Sequence, residues 1–486
     1  MIRLSKSRFV AGLQCHKMLW WKFKEPDAPE LEVDPGTQAI FDAGTKIGEI
    51  ATTYFGDGVL IDFPHYEIAN KIRATKEAIE SGAKAIFEAS FMEDDVFVAV
   101  DILEKVRGDW ILNEVKSTTR AKPQHVPDVA VQTHVLQKAG LNVKAVNLMH
   151  LNRECRYPDL SNLFAKTDLS DAAFALKTDT ENEIRAQIHM LKGPVPDVEI
   201  GPHCTNPYDC PFYWRCWKEP PEHHIGTLYR IGQKAAELKT KGIQTIFDLP
   251  SNYPLSQIAD RQRRAVQSGK TIIESGLDRA ISKWDAPIAY LDFETINMVI
   301  PVWNGCHPYD QVPVQFSCHV LDGQGKVEHF EYLADGPDDP REALAKVMLG
   351  ACKDAKTILA YNAGFERRCV RELAKALPHL ADDLYELNDK IDDLLPVIRN
   401  HVYHPDFHGS FSIKSVLPAL ISLDYSELEI GDGQTASVQL EAILFAQDQM
   451  TAQKKTEIRE NLLKYCKLDT WAMVKLLEWL KTSGAS

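Results

Sequence analysis

The chain has 486 residues, 44% hydrophobic and 26% charged, with a formal net charge of −14. That length exceeds what one core holds, roughly 250–300 residues, so two or more domains are expected, and the ordinary globular balance excludes a disordered chain. The acidic balance excludes nucleic-acid binding by a global positive field and leaves local basic patches, or metal ions among carboxylates, as routes to a polyanion.

The amino-terminal stretch MIRLSKSRFVAGLQCHKMLWW has no uninterrupted apolar run of signal-peptide type. No run of ~18 apolar residues follows, so a soluble, cytoplasmic protein with no membrane association is expected. Ten cysteines in that setting point to buried small side chains or metal ligands rather than a disulfide framework.

The segment AKAIFEASFMEDDVFVAVDILEKVRGDWILNEVKSTT, residues 83–119, predicts three strands separated by acidic and Gly-Asp turns. Asp101 ends a run of Val and Ala on the second. Glu114 and Lys116 stand at i and i+2 on the third and so project to one face. A helix carrying Gln132 follows. An acid, then Glu-x-Lys after a hairpin, resembles the PD-(D/E)XK nucleases. The resemblance implies that Asp101 and Glu114 hold Mg²⁺ or Mn²⁺ while Lys116 neutralises charge and orients water, with Gln132 completing the site and Glu88 supporting it.

His203-Cys204 and the following residues to Cys216 place Cys204, Cys210 and Cys216 with five residues between neighbours, and Cys15 lies far upstream. Four thiolates suit a [4Fe–4S] cluster or Zn²⁺. The remote fourth ligand makes sense as a staple joining the two ends of a domain. The pattern resembles the RecB-family nucleases with one amino-terminal and three carboxy-terminal cysteines, such as the CRISPR adaptation nuclease and AddB-type helicase–nucleases, over about residues 1–217. It implies a [4Fe–4S] cluster on Cys15, Cys204, Cys210 and Cys216. One departure stands out: Gly44-Thr45-Lys46-Ile47-Gly48 has glycine where the family often carries a metal-binding histidine. Cys155, Cys306, Cys318, Cys352, Cys369 and Cys466 read as core or incidental residues. Trp20, Trp21 and Trp214 read as core residues or as stacking platforms for bases.

The Pro-punctuated EPPEHH closes the first domain, set at 1–222. Residues 223–285 read as a small helical connector, with Arg261, Arg263 and Arg264 in a polar run.

From 286 to 486 the pattern changes. IAYLDFET is a short apolar strand with Asp292 and Glu294 on one face. VPVQFSCHVLDGQGKVEHFEYL predicts a hairpin around Asp-Gly-Gln-Gly. KTILAYNAGFERRCVRELAKAL runs from a buried strand into a helix, with Glu366 at the junction. Near the end, Tyr465 and Asp469 share a helix face, separated by ~6 Å of rise. Tyr361-Asn362-Ala363-Gly364-Phe365-Glu366 and Tyr465-Cys466-Lys467-Leu468-Asp469, taken with the DFET strand, resemble the second, third and first motifs of the DnaQ-like exonucleases of the RNase H-like superfamily. Glu366 departs from the usual Asp of the second motif. The resemblance implies carboxylate ligands for Mg²⁺ or Mn²⁺ at Asp292, Glu294, Glu366 and Asp469, with Tyr465 orienting or helping to deprotonate the attacking water. Asp393 and Lys414 lie between the second and third motifs; Lys414 reads as a phosphate contact or as a solvated loop lysine.

The whole chain resembles a bacterial fusion of a RecB-like nuclease with an RNase H-like domain: α/β and multi-domain, a PD-(D/E)XK fold and a DnaQ-type mixed sheet joined by a helical connector. The expected activity is hydrolysis of DNA phosphodiesters, on single strands or free ends, in repair, recombination or defence. A ribonuclease, a nucleic-acid-binding scaffold with degenerate sites and a structural cluster, and a cluster-based redox sensor remain as alternatives.

Overall fold

The computed structural model describes residues 2–426, 428–446 and 450–484. The chain is mixed α/β and divides into two units: Met1–Glu219 with Val299–Pro308, and Pro220–Met298 with Tyr309–Ser486. Among the described residues no helix is long and apolar enough to cross a membrane.

The first unit holds a seven-stranded sheet of β1 (Leu4–Ser5), β2 (Val59–Leu60), β3 (Ala85–Glu93), β4 (Val96–Val106), β5 (Asp109–Lys116), β6 (Val143–Leu151) and β7 (Phe164–Asp168). Its order is β2-β3-β4-β5-β6-β7, with β1 pairing parallel to β4. β3, β4 and β5 form the antiparallel meander expected from the sequence. Its two turns, Asp94-Asp95 and Arg107-Gly108, have positive φ at both central residues, which matches the right-handed twist of the flanking strands. β5 and β6 are parallel, and parallel strands need a crossover. The helix His125–Lys138 supplies it. Leu4, Phe9, Ile86, Val98, Val100, Leu112, Val129, Val135 and Val146 form the core beneath this helix.

The second unit contains β8 (Ile272–Ile273), β9 (Ile288–Ile296), β10 (Val312–Leu321), β11 (Val327–Leu333), β12 (Thr357–Ala360), β13 (Ile391–Asp393) and β14 (Val402–Tyr403). The main sheet runs β11-β10-β9-β12-β13, while β8 and β14 form a separate pair. β9, β10 and β11 are antiparallel; β12 joins β9 and β13 in parallel. One face packs Leu291, Phe293, Phe316 and Cys318 against the helices Arg341–Cys352, Gly364–Ala376 and Ala381–Asp389. The carboxy-terminal helix Ala452–Gly484 lies on the other face. It is held there by Gln315 Nε2 donating to Leu462 O at 2.8 Å and by Ser317 Oγ 2.7 Å from Thr470 Oγ1.

The segment expected as a separate connector is instead part of the second unit. Its helices, Lys234–Thr240, Gln257–Ser268 and Leu277–Ile281, are short. Helices of that length cannot bury an apolar face by themselves. Ile225, Leu228, Ile246, Val266, Leu277 and Trp284 share one core with Tyr290, Leu477 and Leu480. The boundary falls after Glu219, at the first proline of the EPPEHH stretch. Residues 299–308, expected within the last domain, belong to the first unit through backbone pairs such as Tyr157 N to Cys306 O and Gly305 N to Tyr157 O, both 3.0 Å.

Candidate active site and thiol cluster

In the second unit, Asp292 and Glu294 project from β9 toward the carboxy-terminal helix, while Phe293 between them is buried in the opposite core. Asp469 on that helix joins them: one ligand atom from each of Asp292, Glu294 and Asp469 lies within 4.8 Å of the others. Glu366 enters from the first turn of the helix Gly364–Ala376, where the helix dipole favours a negative charge. It is 3% exposed, and its Oε2 has no hydrogen-bond partner. The turn that delivers it is strained: Asn362 sits at φ +68°, and its N–H donates to Asp393 Oδ1 at 2.9 Å. Asp393 Oδ1 also accepts from Leu395 N at 3.0 Å. Asp393 therefore fixes the turn.

Four carboxyls in one poorly hydrated pocket raise one another's proton affinity. Burial, then Asp469, Glu294 and Glu366, push Asp292 well above the usual carboxylate range. Glu294 is pushed up to about 8 by burial, with Asp469 adding to it. Glu366 is pushed up to about 8 by burial, with Asp393 adding. Asp469 is raised to about 6 by burial, against the opposing hydrogen bond from Tyr425 and the charge of Lys414. Such a pocket gains most from a cation, and oxygen-only donors suit Mg²⁺ or Mn²⁺. An orphaned, buried carboxylate oxygen on Glu366 fits the same group.

Tyr465 is 4% exposed. Lys414 Nζ donates to its hydroxyl at 3.1 Å and to Gly431 O at 2.6 Å, and lies over the rings of Tyr465 and Tyr425 at 5.1 and 5.3 Å. Burial and the nearby carboxylates push the Tyr465 phenol far above its ordinary range. Held as a phenol, it presents a hydroxyl that can orient a water. Sequence reading missed Tyr425, whose hydroxyl donates to Asp469 Oδ1, and Cys466, whose Sγ is 3.7 Å from Asp292 Oδ2. Beside the Asn362 turn runs a groove of about 560 Å³ lined by Tyr229, Tyr361, Arg399 and Phe411.

In the first unit, Asp101 on β4, Glu114 and Lys116 on β5, and Gln132 on the crossover helix also converge. Glu114, 1% exposed, accepts from Lys6 and Lys116 through Oε1, both at 2.7 Å, and from Gln132 through Oε2 at 2.8 Å. Asp101 Oδ2 accepts from Val115 N at 2.6 Å. Lys116 also reaches Asp128 at 2.8 Å. Burial would raise the proton affinity of Glu114, but Lys6 and Lys116 outweigh it and hold the carboxyl well below its usual range. Asp101 is pushed up to about 7 by burial and then by Glu114. Glu88 stands where β3 passes Asp101, at φ +59°, and burial raises its proton affinity. Lys6 and Asp128 were not anticipated. Asp128 lies one helical turn before Gln132, a visible signal; Lys6 arrives because β1 pairs with β4.

Cys15, Cys204, Cys210 and Cys216 line one cavity with Met18, Trp21, Phe212 and Tyr213. The thiol of Cys210 is raised by burial and then by the other three cysteines, so the four act on one another. Among the described residues, the groups of three or more donors gathered within 4.8 Å are Asp292/Glu294/Asp469 and Glu222/His223/His408. The cysteines do not form so tight a group. Tetrahedral Zn²⁺, at about 2.3 Å from each sulfur, would draw them closer. Phe212, fully buried, packs against Cys15 and Cys210. Trp20 donates to Gly193 O at 3.1 Å, and Trp21 packs on Phe212 at 5.3 Å. Trp214 is 69% exposed.

A family model described as a domain of unknown function, DUF2779, matches residues 289–412. That span holds Asp292, Glu294 and Glu366 but stops before Tyr465 and Asp469. The chain is similar to the uncharacterized protein UU173 of Ureaplasma parvum, 22% identical over 50% of this chain and 36% of that protein. It is also similar to the uncharacterized protein MG366 of Mycoplasma genitalium, 24% identical over 40% of this chain and 32% of that protein. The chain thus spans about a third of the length of these curated relatives. A solved structure described as the crystal structure of SSO0001 aligns over 44% of this chain and 85% of that one, with 12% identity and a TM-score of 0.22. A likeness of that size carries no argument about the fold.

Proposed function

We propose that the chain is a metal-dependent nuclease hydrolysing DNA phosphodiesters, with its 3′–5′ exonuclease site at Asp292, Glu294, Glu366 and Asp469. The observation that carries this reading is the convergence of Asp292, Glu294 and Asp469 within 4.8 Å from a strand and a helix remote in sequence, with Glu366 and Tyr465 beside them. The sheet order, three antiparallel strands continued by two parallel ones, supports an RNase H-like unit of DnaQ type. Divalent ions bound there would polarise the scissile phosphate and lower the pKa of an attacking water. The four carboxylates hold the charge; Tyr465, fixed by Lys414, orients the nucleophile; Lys414 brings positive charge to the pocket where the phosphate's charge develops. The aromatic and arginine-lined groove beside Asn362 suits unpaired bases, which stack without sequence preference.

The first unit reads as the RecB-like, PD-(D/E)XK partner, carrying a [4Fe–4S] cluster on Cys15, Cys204, Cys210 and Cys216. Here a specific observation favours the scaffold reading. Lys6 Nζ, 2.7 Å from Glu114, already occupies the carboxylate oxygen that would be offered to a metal. In this reading the first unit grips the strand and the second unit cuts it.

The test is digestion of DNA and RNA of the same sequence, labelled at either end, with Mn²⁺. Stepwise release from the 3′ end of DNA is expected, lost in Asp292→Asn and Asp469→Asn and kept in Glu114→Gln. Equal activity in the parent and both aspartate variants would remove the exonuclease assignment. Faster RNA cleavage would make the substrate RNA.

A further inference from the structure

Away from both sites, Glu222, His223 and His408 each present one ligand atom, all within 4.8 Å of one another. His223 Nε2 lies 3.5 Å from Glu222 Oε1. The two imidazoles are 5.2 Å apart between centres and 21° from parallel. His223 is 7% exposed, with the Phe247 ring across it at 5.3 Å; Glu222 and His408 are exposed.

The backbone is strained to achieve this meeting. His223 and His408 both take left-handed conformations, at φ +51° and +46°. Each such residue costs about 1–3 kcal/mol unless it is glycine. Neither turn can relax easily. His223 O accepts from Ile246 N at 2.8 Å. Gly409 N donates to Tyr403 Oη at 2.9 Å, and a Cβ on Gly409 would lie 2.3 Å from Thr227 O. Gln262 Nε2 holds that same carbonyl at 2.9 Å. The surroundings therefore fix two histidines face to face beside a carboxylate. The ligand atoms of all three side chains already lie within 4.8 Å of one another, and rotation of the two rings out of their stack would turn their in-plane lone pairs onto one ion. Burial, with His408 adding and Glu222 and Asp406 opposing, lowers the proton affinity of His223, and a neutral imidazole is the form that binds metal.

We propose that Glu222, His223 and His408 form a transition-metal site of Zn²⁺ type. Two imidazoles and one carboxylate match Zn²⁺ preferences, and three protein ligands leave a fourth position open to water at the surface. The site differs in chemistry from the oxygen-only pocket at Asp292 and from the all-sulfur set at Cys210. Bound metal clips the start of the second unit, at residues 222–223, to the turn at residues 405–409, and adds its binding free energy to the folded state.

The experiment uses the full-length protein, purified without oxygen and kept in excess Mg²⁺ so that the carboxylate pocket is occupied. Co²⁺ is the spectroscopic probe and Zn²⁺ the competitor. The expected result is one Co²⁺ per chain with visible d–d bands, no intense near-ultraviolet sulfur-to-cobalt band, displacement by Zn²⁺, and a higher thermal midpoint with Zn²⁺. His408→Gly, which suits the left-handed backbone, should lose both the bands and the shift while keeping its circular dichroism. Glu222→Gln, at an exposed position, should weaken Zn²⁺ binding at least ~10-fold. Unchanged Co²⁺ spectra in His408→Gly, unchanged affinity in Glu222→Gln, or a thiolate spectrum alone in the parent would each overturn the assignment.

Discussion

Replacing Glu294 by Gln should stabilise the metal-stripped protein while abolishing its metal response. Glu294 ionises near 4.5 in an unfolded chain and about 8 in the pocket. At about 1.4 kcal/mol per pH unit of separation, holding it ionised in the fold costs on the order of 5 kcal/mol. Because Asp292, Glu366 and Asp469 share the same field and release protons as one set, removing one charge should recover about 2 kcal/mol. The sign follows from a folded value above the unfolded one. The stability is fully present below pH 4.5 and is lost as pH rises through about 8. Glu294→Gln should therefore exceed the parent most at pH 8.5–9 and least near pH 5. For a unit of about 250 residues that is a gain of roughly 4–8 °C in thermal midpoint at the alkaline end. Mn²⁺ should raise the parent's midpoint at pH 8 and leave the variant's nearly unchanged. The assay is thermal unfolding in chelator and in Mn²⁺ across that pH range. A Glu294→Gln protein destabilised equally at every pH would refute the reasoning, since its carboxylate would then be a structural ligand rather than one of a repelling set.

Tyr465→Phe should lower kcat by about 10²-fold with KM little changed, read by steady-state digestion of a labelled strand, because it removes an orienting hydroxyl and no binding contact. Lys6→Met should destabilise the first unit by about 3 kcal/mol, seen as a lower thermal midpoint, because Glu114 would keep its burial and lose one of its two ammonium partners. Asn362→Gly should raise stability by about 1 kcal/mol in denaturant titration, because the left-handed turn before Glu366 favours glycine and the hydrogen bond to Asp393 comes from the backbone. Cys210→Ser should remove the broad absorbance near ~400 nm from protein purified without oxygen.

The parts of the sites that were legible in the sequence are those set by local periodicity. Asp292 and Glu294 two apart on a strand, and Tyr465 and Asp469 four apart on a helix, face one way whatever the rest of the chain does. The meander around Asp101 and Glu114 was legible for the same reason, since acidic residues and Gly-Asp interrupt alternation; the second turn centres one residue earlier, on Arg107-Gly108. What was not legible depends on long-range pairing. Lys6 reaches Glu114 only because two residues at the amino terminus add a strand beside β4. Tyr425 meets Asp469 from irregular chain after the helix Ile413–Ile421, whose path no periodicity announces. The connector reads as a separate helical piece because its composition is self-contained, yet helices of that length need a neighbouring core, and Trp284 and Leu277 find it around Tyr290. His223 and His408 each lie in a histidine-bearing, proline-marked stretch, and only the left-handed backbone at both positions brings them together.

The two acidic sites differ in charge, and the difference bears on which of them takes a divalent ion. In the first unit, Asp101, Glu114 and Asp128 face Lys6 and Lys116, and Glu114 is held far below its usual range. An incoming ion there must displace an ammonium 2.7 Å from the best ligand, so much of its attraction is spent on breaking an existing pair. In the second unit, Lys414 acts on Glu294 and Asp469 and Arg368 on Glu366, and Lys414 is turned to Tyr465 and Gly431 rather than paired to a carboxylate. Two of those carboxyls are raised to about 8, which is the state a divalent ion relieves. Metal dependence should therefore follow the second unit, and Lys6 is the residue whose removal would open the first to metal.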